Sequence, residues 1–148
     1  MAHEITMTTE IAATPETVWA VLADLDGYPQ WHPAFLKVSG LLAAGRTLTI
    51  TTTHPASGHT MTAKVKVLAA EPGRELRWVS RLLGLTISER RFLLSPAGGG
   101  TSLVQAETYR GIGGSRNVMK VMPRIQDSFA AINQAIKQQA EARQRAAG

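Results

Sequence analysis

Much of the chain alternates between apolar and polar residues with a period of two, the pattern of half-buried β-strands. In the first such run Ile5, Met7 and Ile11 share one side, and Thr or Glu occupies the positions between them. Later runs rich in Thr, Val and Leu are separated by turns that contain Gly or Pro. The pattern predicts seven strands, over Glu4–Ala13, Phe35–Gly40, Arg46–His54, His59–Ala69, Leu76–Leu82, Thr86–Ser95 and Thr101–Arg110.

Two interruptions of this pattern predict helices. Thr14–Glu16 supplies a capping hydroxyl, a proline suited to the first helical turn and an acid near the positive end of the helix dipole. A short helix should follow, and Tyr28–Pro33, with its two prolines, has room only for a further turn. From about Asn117 apolar residues recur every three or four positions, which predicts a long C-terminal helix with Pro123 as a kink or as its true beginning.

The order of elements is strand, short helices, six strands and long helix, which favours an α+β fold. We predict a curved seven-stranded antiparallel sheet wrapped around the long C-terminal helix, with two short helices between strands 1 and 2. A helix laid over the concave face buries both apolar surfaces. Because a strongly curved sheet seldom touches a straight helix along its whole length, a cavity is expected between them.

Turn positions predict which side chains face one another. A turn over Ala97–Gly100 places Leu94 opposite Leu103, Phe92 opposite Gln105, Arg90 opposite Glu107 and Ser88 opposite Tyr109. The preceding hairpin is predicted to place Val67 opposite Leu76, Val65 opposite Trp78, Ala63 opposite Ser80 and Met61 opposite Leu82. The apolar members mark these faces as inward, and the C-terminal helix would add Met122, Ile125, Gln126, Phe129 and Asn133 above them.

This wall defines the candidate ligand-binding residues. They are Arg90, Glu107, Tyr109, Gln105, Phe92, Trp78, Val65, Met122, Gln126 and Phe129. An inward Arg90 opposed to Glu107 is costly in an apolar space unless the two are paired. Three interpretations remain open: the pair orients a polar group of an otherwise apolar ligand, it only pins the sheet, or the register is off by one residue and both face solvent.

Catalysis has weaker support in the residues. A general acid or base is needed, and the candidates are Glu107, Tyr109, His32 and His54. A carboxylate bonded to arginine has a lowered pKa and makes a poor base near neutral pH. His54 and His59 flank a turn but lack a placed carboxylate, so no metal or other cofactor is expected and no catalytic residue is assigned.

Composition adds limits on class and compartment. The 148 residues suit one domain, and 44% are hydrophobic and 18% charged, enough for a core in a folded protein. There is no cysteine, which excludes disulfides, thiolate catalysis and Cys-ligated metals. Neither a run of about 18 apolar residues nor a leader pattern is present, so a cytoplasmic protein without stable membrane insertion is expected.

The net charge of +5 is unevenly distributed. Residues 1–63 hold five acids and two bases, and residues 64–148 hold six acids and fourteen bases. Such an excess raises the question of a nucleic-acid or anionic-membrane partner. The strand pattern places several of these cations outward, namely Lys64, Lys66, Arg77, Arg81 and Arg91. Solvation of the sheet exterior explains them, and no nucleic-acid partner is expected.

Six segments together resemble a known family. They are Ala13–Trp19, Tyr28–Pro33, Glu71–Trp78, Gly99–Thr101, Glu107–Gly111 and Phe129–Lys137. In this order they resemble the SRPBCC group of START-like proteins, the polyketide cyclase/dehydrase and lipid-transport family. The resemblance implies the helix-grip fold and a cavity for hydrophobic ligands such as lipids or polyketides.

Residues 1–148 are therefore expected to form a single START-like ligand-binding domain. Its predicted function is to bind a small hydrophobic molecule between the sheet and the C-terminal helix. The alternative, from another class, is a polyketide cyclase or dehydratase acting in the same cavity. Monomer and dimer both remain open.

Overall fold

The computed structural model describes residues 3–53, 57–82, 86–111 and 114–147, apart from the side chains at 82, 86 and 114–122. The strands are β1 (His3–Ile11), β2 (Phe35–Ser39), β3 (Thr47–Thr53), β4 (Thr60–Glu71), β5 (Glu75–Leu82), β6 (Thr86–Ala97) and β7 (Gly100–Gly111). The helices are α1 (Pro15–Ala23), α2 (Tyr28–Trp31) and α3 (Gly114–Ala147), with a 3₁₀ turn over Leu25–Gly27 between α1 and α2. The predicted order of elements is confirmed.

The strands form one antiparallel sheet in the order β1-β7-β6-β5-β4-β3-β2. β1 joins out of sequence and pairs with β7 from His3 opposite Tyr109 to Ile11 opposite Thr101. α3 packs against β1, β7 and α1. The architecture is α+β, with the sheet gripping a long C-terminal helix and the two short helices between β1 and β2, as predicted.

The beginning of α1 follows the local sequence. The Thr14 hydroxyl accepts a hydrogen bond from the backbone N–H of Thr17 at 3.2 Å, and Pro15 occupies the first helical turn. A side-chain cap of this kind satisfies a backbone donor that the helix itself cannot. The helix then buries Val18, Val21 and Leu22 against the sheet.

α3 is longer than its periodicity predicted. It begins at Gly114 and runs for 34 residues, so Pro123 lies inside the helix and does not mark its beginning. Proline removes one backbone hydrogen bond from a helix interior. The fully buried stripe further along, with Phe129, Ile132 and Ile136, fixes the helix on the sheet despite that loss.

The register of β6 and β7 is confirmed at every predicted pair, including Arg90 opposite Glu107. The register of β4 and β5 was predicted wrongly. Val67 lies opposite Trp78, and an irregularity between Val67 and Ala69 then brings Ala70 opposite Leu76. An extra residue of this kind displaces the pairing without being visible in the alternation of the sequence. The inward face survives the error, since Val65 and Trp78 are both buried.

The interior contains two apolar clusters. The larger lies under α1 and the C-terminal half of α3 and includes Leu103, Phe92 and Ile136. The smaller consists of Ile5, Tyr109 and Phe129. The inward positions of β7 run from Leu103 in the larger cluster to Tyr109 in the smaller, and the two inward positions between them are polar, Gln105 and Glu107. A polar layer therefore separates the two clusters.

Candidate functional site

The ion pair between Arg90 and Glu107 lies at the centre of this polar layer. The guanidinium Nε donates to a carboxylate oxygen of Glu107, and the two side chains are 16% and 8% exposed. The Arg90 guanidinium also lies 5.2 Å from the ring centroid of Phe129 on α3, within cation–π range. The pair faces inward, so the interpretation that placed both residues in solvent was wrong.

The surroundings of Glu107 keep it ionised. Burial opposes its charge, but attraction to Arg90 and hydrogen bonds from Arg90, Tyr109 and Ser88 outweigh burial and hold its pKa below the usual value. Burial likewise disfavours the charged form of Arg90, and the carboxylate of Glu107 more than compensates, so the pKa of the guanidinium is raised. Each charge is stable in the interior only because of the other.

Gln105 and Asn133 connect the sheet to α3 beside this pair. The Gln105 amide nitrogen donates to the Asn133 side-chain oxygen at 2.6 Å and to the backbone oxygen of Phe129 at 3.3 Å. The Asn133 amide in turn donates to the backbone oxygen of Met7 and to the Thr9 hydroxyl. The sequence predicted Asn133 among the residues that α3 places above the inner wall, and the structure makes it the link between β1, β7 and α3.

The side-chain oxygen of Gln105 differs from these groups. It is buried, and no donor within the described part of the chain bonds it. A buried acceptor left without a donor costs about 1 to 3 kcal/mol. The oxygen therefore offers a bonding position to any ligand hydroxyl or N–H that reaches it.

The apolar candidates whose side chains are described lie in the interior, as predicted, whereas Gln126 does not. Trp78, Phe92, Val65 and Phe129 are buried, and the rings of Trp78 and Phe92 meet edge to face with centroids 6.0 Å apart. Gln126 is exposed, so its predicted place above the inner wall was wrong. It lies roughly 60° around the helix from the centre of the buried stripe, and its neighbours Asp127 and Ser128 are exposed as well.

Two sequence predictions lie outside the described part of the chain. The side chain of Met122 is one of them, and with it one wall of the predicted cavity, which stays a prediction. His54 is the other, while His59, its suggested metal-binding companion, is exposed. Among the residues that the structure does describe, no group of three His or acidic side chains is placed to hold a metal ion.

His32 is more constrained than its sequence setting indicated. Its Nδ1 accepts hydrogen bonds from the backbone N–H groups of Ala34 and Phe35, both at 3.1 Å, and its ring stacks on Phe35 with centroids 3.7 Å apart. Burial, together with the nearby positive charge of Arg90, lowers its pKa to about 3. The imidazole is therefore neutral, with its proton on Nε2.

These environments fix the protonation states of the three titratable candidates. Glu107 is ionised, and His32 is neutral with its one acceptor nitrogen occupied. Burial, the charge of Glu107 and a hydrogen bond to it raise the pKa of Tyr109, so the phenol keeps its proton. General acid–base catalysis works best with a group whose pKa lies near the working pH, and none of these three meets that requirement.

A curved antiparallel sheet closed by one long C-terminal helix, with short helices between the first two strands, is the helix-grip fold. A family model described as "Polyketide cyclase / dehydrase and lipid transport" matches residues 2–141. The chain belongs to that family. A search among proteins of curated function gave no match.

Solved structures share the fold at low sequence identity. The Zhui aromatase/cyclase from Streptomyces sp. R1128 is 20% identical, with a TM-score of 0.78 over 100% of this chain and 99% of that one. A Nitrosomonas europaea protein is 14% identical, with a TM-score of 0.78 over 95% of both chains. The di-domain ARO/CYC StfQ from the steffimycin biosynthetic pathway is 15% identical, with a TM-score of 0.80. The match covers 97% of this chain and 52% of StfQ, so the chain spans about half of that protein.

Membership of the family supports a ligand-binding or cyclase role. No described helix is both long and apolar enough to cross a membrane.

Proposed function

We propose that the chain binds a small, mostly apolar molecule that carries a hydroxyl or N–H donor, in the space between the sheet and α3. The apolar body would contact Trp78, Phe92 and Phe129, and the donor would bond the free side-chain oxygen of Gln105. That buried acceptor is the observation that carries the proposal, because a ligand donor would remove the cost of leaving it unbonded.

The ion pair has a supporting part in this proposal. Arg90 is bonded to Glu107 through Nε, and its remaining N–H groups can donate to a carbonyl, hydroxyl or carboxylate oxygen of the ligand. The ligand would thus be oriented by an acceptor at Gln105 and by donors at Arg90. That residues 1–148 act as one cytoplasmic, cofactor-free ligand-binding domain stays a prediction.

The test compares two probes of similar shape, 2-naphthol with a donor and 2-methoxynaphthalene without one. We expect the protein to bind 2-naphthol about 5 to 10 times more tightly by isothermal titration calorimetry, which is the value of one hydrogen bond. Gln105→Met should abolish the preference, and Gln126→Met on the exposed side of α3 should keep it. Equal binding of the two probes by the unaltered protein would refute the proposal.

A cyclase or dehydratase acting in the same cavity is the second candidate. Its support is family membership and the shared fold with two aromatase/cyclases. The fixed protonation states of Glu107, Tyr109 and His32 weigh against it. Exchange of the α-hydrogens of benzoylacetone for deuterium tests for a working base. We expect no acceleration, and faster exchange that disappears in Tyr109→Phe would favour the enzyme.

A further inference from the structure

The sheet is open between β4 and β5. The two strands pair from Glu71 opposite Glu75 as far as Lys66 opposite Val79, and no described residue continues the ladder beyond that point. Beyond that point each strand keeps its other neighbour. Residues Thr60–Lys66 of β4 stay paired with β3, and residues Ser80–Leu82 of β5 stay paired with β6. The strands therefore separate, and a cleft of about 950 Å³ occupies the wedge between them.

The irregularity between Val67 and Ala69 accounts for this opening. It lies next to the last pairs of the ladder, at the point where the strands begin to separate. An extra residue in one strand bends that strand and increases its local twist, which carries the remainder of the strand away from its neighbour. The cleft is thus a consequence of the same feature that displaced the predicted register.

The walls of the cleft are apolar. Met61, Leu68, Val79, Ile87 and Val65 all line it. Met61 and Leu68 are 44% and 37% exposed, unusual for side chains that gain from burial. A volume near 950 Å³ lies within the range of small-molecule sites, which are commonly about 300 to 1,000 Å³.

Cations surround this apolar surface. The basic residues that line the cleft are Lys64, Lys66, Arg81 and Arg110. All four are exposed, no acidic residue lines the cleft, and none of the four has an ion-pair partner among the described residues. Arg77 and Arg91, on the same outer face but away from the cleft, are paired with Glu75 and Glu4. Solvation alone does not explain why the unpaired cations gather at the apolar opening.

We propose that this cleft is a second binding site, which takes a monomeric amphiphile with an anionic head. The apolar chain would cover Met61, Val79 and Ile87, and the carboxylate or phosphate monoester would bond the surrounding Lys and Arg side chains. The positive charge, the absence of lining acids and the apolar walls together select this chemistry. The four cations, Val79 and Ile87 lie on the outer side of the sheet, and Gln105, Phe92 and Phe129, which define the ligand position proposed under α3, do not line the cleft.

The test uses decyl phosphate below its micelle concentration, titrated into the full chain by isothermal titration calorimetry. We expect saturable binding that weakens as NaCl is raised, with decanoate also bound and 1-decanol bound at least tenfold more weakly. The double variant Lys64→Gln/Arg81→Gln should bind decyl phosphate at least tenfold more weakly. Lys37→Gln/Arg74→Gln removes the same charge from exposed positions outside the cleft and should leave the affinity within twofold.

Three results would overturn the proposal. One is equal loss of affinity in the two double variants, which would mean that only net charge matters. Another is binding to vesicles of phosphatidylglycerol without binding of the monomer, which would mean a membrane-docking face. The third is loss of decyl phosphate binding in Gln105→Met but not in Lys64→Gln/Arg81→Gln, which would place the amphiphile under α3. That last result would leave the proposed function standing.

Discussion

Two consecutive arginines of β6 point to opposite faces of the sheet, and each is paired with a glutamate. Arg90 bonds Glu107 in the interior, where the side chains are 16% and 8% exposed. Arg91 bonds Glu4 on the outer face at 2.7 Å, where they are 29% and 49% exposed. The residue types are the same, and the surroundings differ. Water screens and solvates the outer pair, whereas in the interior each charge depends on its partner.

The largest expected effect separates the two pairs directly. Glu107→Gln leaves Arg90 as an uncompensated buried charge, which should reduce the free energy of unfolding by roughly 3 to 5 kcal/mol. Glu4→Gln, the matched change on the outer face, should cost no more than about 1 kcal/mol. Urea unfolding followed by circular dichroism measures both. Similar losses in the two variants would mean that burial does not distinguish the pairs.

A smaller effect concerns His32, which lies in the field of Arg90. Its pKa is about 3 in the folded protein and near 6.5 when unfolded, so below pH 6.5 the unfolded chain takes up a proton that the folded chain refuses. The free energy of unfolding should therefore decrease as the pH is lowered. The contribution of this residue to the decrease between pH 6.5 and pH 5 should be about 2 kcal/mol.

His32→Asn isolates this contribution, because the asparagine oxygen can accept the same two backbone N–H groups without titrating. The variant should lose correspondingly less stability than the unaltered protein when urea unfolding is compared at pH 6.5 and pH 5. Glu107 does not contribute to this difference between pH 6.5 and pH 5. Because its pKa is lowered, it affects stability only at pH values below the usual pKa range of a glutamate. Identical pH slopes in the two proteins would show that His32 is protonated in the folded state.

The smallest effect is the response of the two pairs to salt. Double-mutant cycles for Arg91 with Glu4 should give a coupling below about 1 kcal/mol that is largely lost in 1 M NaCl, where the Debye length is only about 3 Å. The coupling between Arg90 and Glu107 should change little, because buried pairs are screened much less. Equal salt sensitivity of both couplings would contradict the assignment of an inner and an outer pair.

The two faces also differ in how far the sequence predicted them. The tight turn between β6 and β7 fixes the pairing of their inward residues, so Arg90 opposite Glu107 followed from residue positions alone. The opening between β4 and β5 could not be predicted in this way, because residues 67–70 are all apolar and the sequence does not reveal where the extra residue changes the phase of the strand. The sequence consequently suggested solvated cations on the outer face and gave no indication that three of them, Lys64, Lys66 and Arg81, border a cleft.

The candidate site likewise contains residues whose positions the sequence predicted and residues whose positions it did not. Strand periodicity placed Gln105, Glu107 and Tyr109 on the inner face, where they are buried. The position of Gln126 depended on the rotation of α3 about its axis, which periodicity does not fix to better than one residue. The free oxygen of Gln105 depends on which way its amide turns toward Asn133, and that follows only from tertiary contacts.

The most direct measurement of the central claim is isotope-edited NMR of the protein saturated with 2-naphthol. If the ligand lies under α3, nuclear Overhauser effects should connect its protons to the Gln105 side-chain amide and to the Phe129 ring, and none should reach Val79 on the outer face. Effects confined to Val79 and Ile87, with none to Gln105, would contradict the inner site.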